Sequence, residues 1–287
     1  MAQKHTAISV SLVIPAYNEE RYLAACLDSI VMQTVKPYEV IVVDNGSTDQ
    51  TATIASRYPF VQIVHEPRQG VVFARDTGFN AARGDIIARI DVDTLIPIDW
   101  VERVTNIFAN PEIDAVSGSI SFHDAPFPQL FATVDLFARR YLANRLSRHQ
   151  QLFLYGGNMA IRADAWHSVS STLCHNTAMH EDIDLGAHMA GGRYRVGFDQ
   201  TLSVAVSARR VDSDPRSYYL YAIANSRTYL WHGLGGRFYM YPVIWLALFF
   251  YPLLRILYRS YNPDTRQFSL RLLFESSYSN ARISPIV

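Results

Sequence analysis

Short apolar runs rich in β-branched residues alternate with helical segments through the first third of the chain, and this alternation restricts the fold more than any other feature. Between the first two runs, apolar residues recur from Leu23 at the spacing of one helix face. Strands joined by helices of this length form a mainly parallel sheet with helices on both faces, which predicts the α/β class. The predicted buried strands are Val10–Ile14, Val40–Val43, Val61–His65 and Ile86–Ile90.

Polar residues and glycines set the expected element boundaries. Asn18 is predicted to cap the first helix, with Glu19 and Glu20 in its first turn. The turn ending at Asp49 should lead into a helix that reaches about Arg57. Further along the chain we expect helices over Val71–Ala82, Trp100–Ala109, Leu130–Arg148 and from His180 to Gly191–Gly192, and strands over Ala115–Ser121, Tyr194–Gly197 and Leu202–Val206.

Composition excludes some function classes. The 287 residues include 26 basic and 26 acidic side chains, and this balance lacks the basic excess of a nucleic-acid binder. The two cysteines, Cys26 and Cys174, form no CxxC pair and no metal-binding pattern, which favours a reducing compartment without disulfides. The polar segment Met1–Thr6 does not have the pattern of a signal peptide, so we expect a cytoplasmic catalytic part.

The run Phe238–Leu254 contains no charged residue and is rich in aromatic side chains. Its length is at the lower limit for a transmembrane helix, and Pro242 and Pro252 are expected to interrupt it. It either spans a membrane or lies in the interface, and a buried core helix is the remaining alternative. We therefore predict a catalytic domain over residues 1–215 and a helical, membrane-associated region over residues 216–287, at the cytoplasmic side of the cell membrane.

Two carboxylates follow the fourth predicted strand, at Asp91 and Asp93. Residues two apart in an extended chain point the same way, and ligands bind at the carboxyl ends of strands in an open parallel sheet. Hard divalent cations take one or two carboxylates and complete their shell with water and phosphate oxygens. Alone such a pair is more often a solvated turn or a helix cap, but its position after Ile86–Ile90 favours a metal–diphosphate site.

Four motifs in fixed order resemble the N-terminal half of family 2 glycosyltransferases. They are Val10–Glu19, Val40–Asp49, the glycine- and arginine-containing stretch from Gly70 to Asp85, and Asp91–Asp93. The resemblance covers roughly residues 8 to 210. It implies a GT-A fold, which is Rossmann-like, and an inverting transferase that uses a nucleotide sugar together with Mn²⁺ or Mg²⁺.

The resemblance also implies roles for individual residues. Asp93 would be the main metal ligand, and Asp91 would contact the metal or the ribose. Asp44 would bind the base or the sugar, and Arg75 would lie near the nucleotide. The remaining expected donor-site residues are Pro15, Ala16, Tyr17, Glu19, Val92 and Gly157.

A second acidic pair, Glu181 and Asp182, opens a predicted helix. Glycosyl transfer requires the acceptor hydroxyl to lose a proton as it attacks, and a carboxylate can accept that proton. By the resemblance Asp182 is the base, and Glu181 contacts the acceptor or orients the loop. Without the upstream motifs, both residues are explained by the positive end of a helix, which favours acidic side chains.

The predicted function is transfer of one sugar, most simply from a UDP-sugar, to a hydroxyl acceptor that is a glycan or glycolipid of the cell envelope. The chain lacks the Gln-x-x-Arg-Trp motif of processive synthases, which favours transfer of a single sugar over polymerisation. It also lacks the GxxxxGK[ST] phosphate loop, which argues against a P-loop NTPase. A polyprenyl-phosphate glycosyltransferase and a non-catalytic membrane scaffold are the alternatives.

Several basic side chains have no predicted role. The nine histidines form no paired-ligand pattern. Family members in some cases use a histidine as a further metal ligand, but we single out none of His180, His188 and His232. We expect Arg209 and Arg210 to be solvated at the surface.

Overall fold

The computed structural model describes residues 8–146, 154–192, 194–234 and 237–274. One sheet of eight strands has the spatial order β3-β2-β1-β4-β7-β6-β8-β5. The strands are β1 (Val10–Ala16), β2 (Glu39–Asp44), β3 (Val61–His65), β4 (Ile86–Ile90), β5 (Thr94–Leu95), β6 (Ala115–Phe122), β7 (Asn158–Arg162) and β8 (Val196–Val206).

Nine α-helices accompany the sheet within these described ranges. They are α1 (Leu23–Val31), α2 (Thr51–Ala55), α3 (Val71–Ala81), α4 (Trp100–Phe108), α5 (Pro128–Leu146), α6 (Ala163–Val169), α7 (Glu181–Gly191), α8 (Pro215–Trp231) and α9 (Arg237–Ser260). The architecture confirms the predicted α/β class with a mainly parallel sheet.

The first four strands of the sheet order are all parallel to one another. Strand β7 runs antiparallel between β4 and β6, whereas β6 and β8 are parallel. The carboxyl ends of β1, β2 and β4 therefore lie at one edge of the sheet, where an open parallel sheet binds its ligands.

Alternate side chains of β1 point to opposite faces of the sheet, as the period of a strand requires. Leu12 and Ile14 pack in the cluster that includes Leu27 of α1 and Trp100 of α4. Val13 packs on the other face, with Phe79 of α3. Burial on both faces explains why these strands appear in the sequence as unbroken apolar runs.

Helix α1 begins later than predicted. It starts at Leu23 with Tyr22 at the N-cap position, so Asn18 is not its cap. Asn18 has a positive φ of 53°, and its side-chain oxygen accepts a hydrogen bond from the Thr48 backbone N–H at 2.8 Å. The side chain that was expected to cap a helix instead joins two loops.

Other boundaries also differ from the predictions. The helix expected to reach Arg57 ends at Ala55, and the two strands expected between Tyr194 and Val206 form the single strand β8. Helix α5 extends from Pro128 to Leu146, and Arg148 lies outside the described residues. Polar residues in the middle of β8 obscured its continuity in the sequence. In the structure, β8 pairs with β6 on both sides of an irregularity near Gly118.

The two prolines of α9 lie inside a continuous helix rather than interrupting it. Each proline removes one backbone donor, yet the helix runs through both of them over 24 residues. Among the described residues, Phe238–Ser260 is the one helix long and apolar enough to cross a membrane, and 17% of its apolar window is buried. That low burial argues against the core-helix alternative.

Candidate active site

The carboxyl ends of three neighbouring strands bring the N-terminal motifs together. In the register of β1 and β2, Ala16 lies opposite Asp44. Asp91 follows directly after β4, which pairs with the other side of β1. The loops after these strands therefore share one edge of the sheet, as the sequence predicts.

Asp93 is held by a buried arginine from the other half of the chain. Arg209 Nε donates to Asp93 Oδ2 at 2.7 Å, and Arg209 Nη2 donates to Glu19 Oε1 at 2.8 Å. The guanidinium also lies 4.0 Å from the centre of the Tyr22 ring. The expectation that Arg209 is solvated is wrong, because its side chain is 5% exposed and placed between two carboxylates.

A second buried arginine connects the two acidic motifs. Arg89 Nη1 donates to Glu181 Oε1 at 2.6 Å, and Arg89 Nη2 donates to Asp91 Oδ1 at 3.2 Å. Burial opposes the charged form of Arg89, but the carboxylates of Glu181 and Asp91 outweigh it and raise its pKa. One fixed positive charge thus places Asp91 beside the start of α7.

The neighbouring carboxylates of α7 have opposite pKa shifts. Burial raises the pKa of Asp182, and the negative charge of Glu181 raises it further. Burial acts in the same direction on Glu181, but the charges of Arg89 and Arg75 are stronger and hold its pKa below the usual range. Glu181 is therefore a fixed anion, whereas Asp182 has the greater affinity for a proton, as a general base requires.

Backbone donors orient Asp182. Its Oδ2 accepts from Gly156 N–H at 2.9 Å, and its Oδ1 accepts from Ile183 N–H at 2.8 Å. A Cβ at Gly156 would lie 2.7 Å from Nη1 of Arg89, so the absence of a side chain lets this turn approach the arginine. Gly157, the glycine singled out from the sequence, instead packs against the ring of Tyr155.

Arg75 supports the site from below. Its side chain is fully buried, donates from Nη1 to the backbone oxygen of Glu181 at 2.6 Å, and pairs with Asp76. Asp44 is also buried, and its carboxylate accepts from Ser47 N–H at 3.0 Å and contacts His65 Nδ1 at 3.1 Å. Asp44 lies at the end of β2, further along the same edge.

The other expected donor-site residues differ in exposure. Pro15 and Tyr17 are half-buried at the end of β1. Ala16 and Val92 are 3% exposed, and their side chains pack in the core cluster. A ligand at this edge would therefore meet the backbone of these two residues rather than their side chains.

The oxygen atoms of Asp91 and Asp93 suit a hard divalent cation, because Mg²⁺ and Mn²⁺ prefer carboxylate and phosphate oxygens. Arg209 engages Oδ2 of Asp93, and Arg89 engages Oδ1 of Asp91, so both carboxylates are held in place by a buried arginine. Within the described ranges, neither aspartate belongs to a group of three or more close histidine, cysteine or acidic ligands. Phosphate and water oxygens would have to complete the shell, as is usual for Mg²⁺.

Sequence reasoning missed the two arginines that organise this edge. Arg89 had a detectable signal, since a lone arginine interrupts the apolar strand Ile86–Ile90 and a buried charge requires a partner. Arg209 had no comparable signal. Its partners Asp93 and Glu19 are 116 and 190 residues away along the chain.

Comparisons with known proteins agree with this geometry. The family model described as glycosyl transferase family 2 matches residues 11–169, which is more than half of the chain. EpsH of Bacillus subtilis (strain 168) is 32% identical over 165 residues, covering 56% of this chain and 46% of that protein. The glycosyltransferase AglE of Haloferax volcanii is 35% identical over 120 residues, covering 39% of this chain and 40% of its own length. The chain therefore spans less than half the length of these curated relatives.

Solved structures share the fold. The mannosyltransferase PcManGT from Pyrobaculum calidifontis, in complex with GDP-Man and Mn²⁺, aligns with a TM-score of 0.59 at 20% identity, covering 94% of this chain and 78% of that one. The glucosyl-3-phosphoglycerate synthase from Mycobacterium tuberculosis, in complex with Mn²⁺, UDP and phosphoglyceric acid, aligns with a TM-score of 0.54 at 22% identity, covering 77% and 78%. Both likenesses establish the GT-A architecture.

Proposed function

Because the chain belongs to glycosyltransferase family 2, we propose that it transfers one sugar from a nucleoside-diphosphate donor to a hydroxyl group of an acceptor, with inversion. UDP is the nucleotide we expect. The observation that carries the proposal is the double contact of Arg89, which joins Asp91 to Glu181 and so brings two acidic motifs to one place. A donor bound at Asp91 and Asp93 would therefore place its sugar near Asp182, the proposed general base.

The donor is proposed to bind across the ends of β1, β2 and β4. Asp44 and the backbone around Pro15–Tyr17 would contact the nucleoside, and Asp91 and Asp93 would hold Mn²⁺ or Mg²⁺ on the diphosphate side. The bound cation would supply positive charge to the departing diphosphate. The presence of Mn²⁺ with GDP-Man, and with UDP, in two structures of the same fold supports this assignment.

Arg209 restrains Asp93 and Glu19 in the structure described here. Its charge offsets both carboxylates, which would otherwise repel each other in a buried place. We expect Arg209 to remain near the diphosphate after donor binding, because a guanidinium is suited to phosphate oxygens.

Asp182 is the proposed base. Gly156 and Ile183 fix its carboxylate, and its raised pKa gives it the proton affinity that the attacking hydroxyl demands. Glu181 stays ionised because Arg89 lowers its pKa, so Glu181 does not compete with Asp182 for the proton of the acceptor hydroxyl. Direct attack by the deprotonating hydroxyl on the anomeric carbon inverts its configuration.

The acceptor is proposed to be lipid-linked or otherwise near a membrane surface. Helix α9 exposes Trp245, Phe249 and Leu253 at helical spacing, with exposed fractions of 53% to 78%. An aromatic and aliphatic stripe of this kind is suited to the membrane interface. We assign residues 1–215 to the catalytic domain and residues 216–287 to a membrane-associated region on the cytoplasmic side.

The test separates donor binding from transfer. Full-length protein is screened against nucleotide sugars by thermal shift with Mn²⁺ or EDTA, since a ligand of the folded state raises apparent stability. We expect a UDP-dependent shift that requires metal and that Asp93→Asn loses. Asp182→Asn should retain the shift and lose transfer by about 10²-fold or more.

Two results would contradict the proposal. Transfer by Asp182→Asn at the parental rate would remove the base assignment and favour a phosphate acceptor, which needs no base. Absence of any metal-dependent nucleotide shift in the parent protein would favour a non-catalytic scaffold. Asp164→Asn, which changes an exposed carboxylate of α6, serves as the matched control.

A further inference from the structure

Four side chains of zinc-ligand type that have no assigned part in sugar transfer meet at one place. They are Cys174, in the segment before α7, Asp184 and His188, on α7, and His232, directly after α8. One ligand atom of each lies within 4.8 Å of all the others. Asp184 and His188 are four residues apart on a helix, so they share one face.

Three distances between the ligand atoms are close to those of a tetrahedral zinc site. Asp184 Oδ1 lies 2.8 Å from His232 Nε2 and 3.6 Å from His188 Nε2. Cys174 Sγ lies 3.9 Å from His188 Nε2. Bonds of about 2.0–2.3 Å to zinc correspond to ligand–ligand distances of about 3.3–3.8 Å in a tetrahedron. Adjustments of well under 1 Å in these three separations would therefore accommodate an ion.

Neighbouring groups orient these side chains toward a common centre. Thr172 Oγ1 lies 3.1 Å from His188 Nδ1, which leaves Nε2 directed at the cluster. The Cys174 backbone N–H donates to Asp184 Oδ2 at 3.1 Å, which leaves Oδ1 between the two imidazoles. Outer contacts of this kind fix the tautomer and the orientation of metal ligands.

The chemistry of the set selects the ion. One thiolate, two imidazoles and one carboxylate are ligands of Zn²⁺, whereas Mg²⁺ and Ca²⁺ prefer oxygen alone. Asp184 is 1% exposed and is surrounded by His232, His188 and the Cys174 backbone N–H, so a cation bound among these groups would be shielded from water. A cavity of about 400 Å³, lined in part by His188 and His232, gives an ion a path from solvent.

We propose that Cys174, Asp184, His188 and His232 bind one Zn²⁺ ion with a structural role. The ion ties the segment before α7 and the end of α8 to α7 itself. Asp182 lies in the first turn of α7, two residues before Asp184. Zinc would thus stiffen the helix that carries the proposed base, while using none of the carboxylates assigned to the donor.

The first experiment measures zinc directly. Full-length protein is loaded with Zn²⁺, dialysed against a weak chelator and analysed by inductively coupled plasma mass spectrometry. We expect about one zinc per chain in the parent protein, and at least about tenfold less zinc retained by Cys174→Ser and His188→Gln, each of which loses a ligand. The controls His167→Gln, at an exposed histidine, and Asp93→Asn, at the donor site, should retain the ion.

Retention of zinc by Cys174→Ser and His188→Gln, or no stoichiometric zinc in the parent protein, would overturn the proposal. Loss of zinc only from Asp93→Asn would place the ion at the donor site and overturn it equally. These outcomes are independent of the sugar-transfer proposal, because no donor is present.

A second measurement needs no variant and so does not depend on variant folding. Cys26 is fully buried, whereas Cys174 is half-buried, so a thiol reagent applied to native protein reports on Cys174. We expect Zn²⁺ to slow the reaction about tenfold or more, and Mg²⁺ at the same concentration to leave it unchanged. Equal rates with and without Zn²⁺ would contradict the site.

Discussion

Charge placement at single residues decides what the acidic motifs can do. Glu181 and Asp182 are adjacent and both acidic, yet Arg89 contacts Glu181 and lowers its pKa, while Asp182 is left with burial and a negative neighbour. The difference comes from the arginines: Arg89 donates directly to Glu181, and Arg75 adds to its effect there, whereas burial and the charge of Glu181 outweigh the effect of Arg89 on Asp182. This asymmetry gives the pair a fixed anion and a proton acceptor.

Glu181→Gln is expected to move the acid limb of the pH–rate profile to lower pH. The base must be deprotonated, so transfer falls as pH drops through the pKa of Asp182. Removing the negative charge of Glu181 removes one cause of the raised pKa, and the limb should shift toward the ordinary aspartate value of about 3.9. The measurement is kcat/KM against pH. An unchanged or upward-shifted limb would show that another group limits the rate.

Arg209→Gln is expected to destabilise the protein by about 3–5 kcal/mol in EDTA, because two buried carboxylates lose their shared cation. A divalent ion at Asp93 would replace part of the missing charge. Mn²⁺ should therefore stabilise this variant more than the parent protein, in thermal unfolding with and without EDTA.

The control for Arg209→Gln is Arg210→Gln. Arg210 carries the same charge, and its guanidinium lies 4.1 Å from the centre of the Tyr221 ring. An equal Mn²⁺ effect in all three proteins would argue against a cation at Asp93.

At the scale of elements, close packing of α3 on the sheet depends on one glycine. A Cβ at Gly78 would lie 2.4 Å from a methyl carbon of Val13 and 2.7 Å from one of Val43. Helix α3 therefore lies closer to β1 and β2 than any larger residue permits. The positions of the loops at the ends of β1 and β2 therefore depend on this distance between helix and sheet.

Gly78→Ala is expected to destabilise the fold by about 1–3 kcal/mol through overpacking. The matched control is Gly191→Ala, because a Cβ there meets nothing within 4 Å and alanine favours a helix by up to about 1 kcal/mol. Urea unfolding of both variants measures the difference. Equal stability of the two would show that α3 can shift without cost.

At the scale of the whole molecule, α9 connects its exposed apolar side chains to the segment that follows Arg209 of the proposed donor site. On its inner side Tyr251 Oη donates to the Ser213 backbone oxygen at 2.5 Å, and Arg259 Nε lies 3.4 Å from Asp212 Oδ1. Both partners lie a few residues after Arg209. The outer side exposes Trp245 and Phe249. The exposed outer side is the surface that the proposed membrane contact would use.

The double variant Trp245→Glu and Phe249→Glu is expected to reduce vesicle binding at least about tenfold, because two apolar side chains would no longer enter the interface. Nucleotide binding should not change. Flotation with phospholipid vesicles measures binding, and Ile98→Glu, at an exposed apolar residue between β5 and α4, is the control. Vesicle binding equal to that of the parent protein would contradict a role for this surface.

The sequence by itself determined the α/β class, the family and the strand ends at which the motifs lie. Those features follow from local periodicity and from turns after buried strands, and both depend on residues that are consecutive in the chain. Only the tertiary structure decided the partners of Asp93 and Asp91, the pKa difference within α7 and the meeting of Cys174 with His188 and His232. These depend on side chains distant in the chain, and a buried charge finds its partner through the packing of the whole fold rather than through spacing in the sequence.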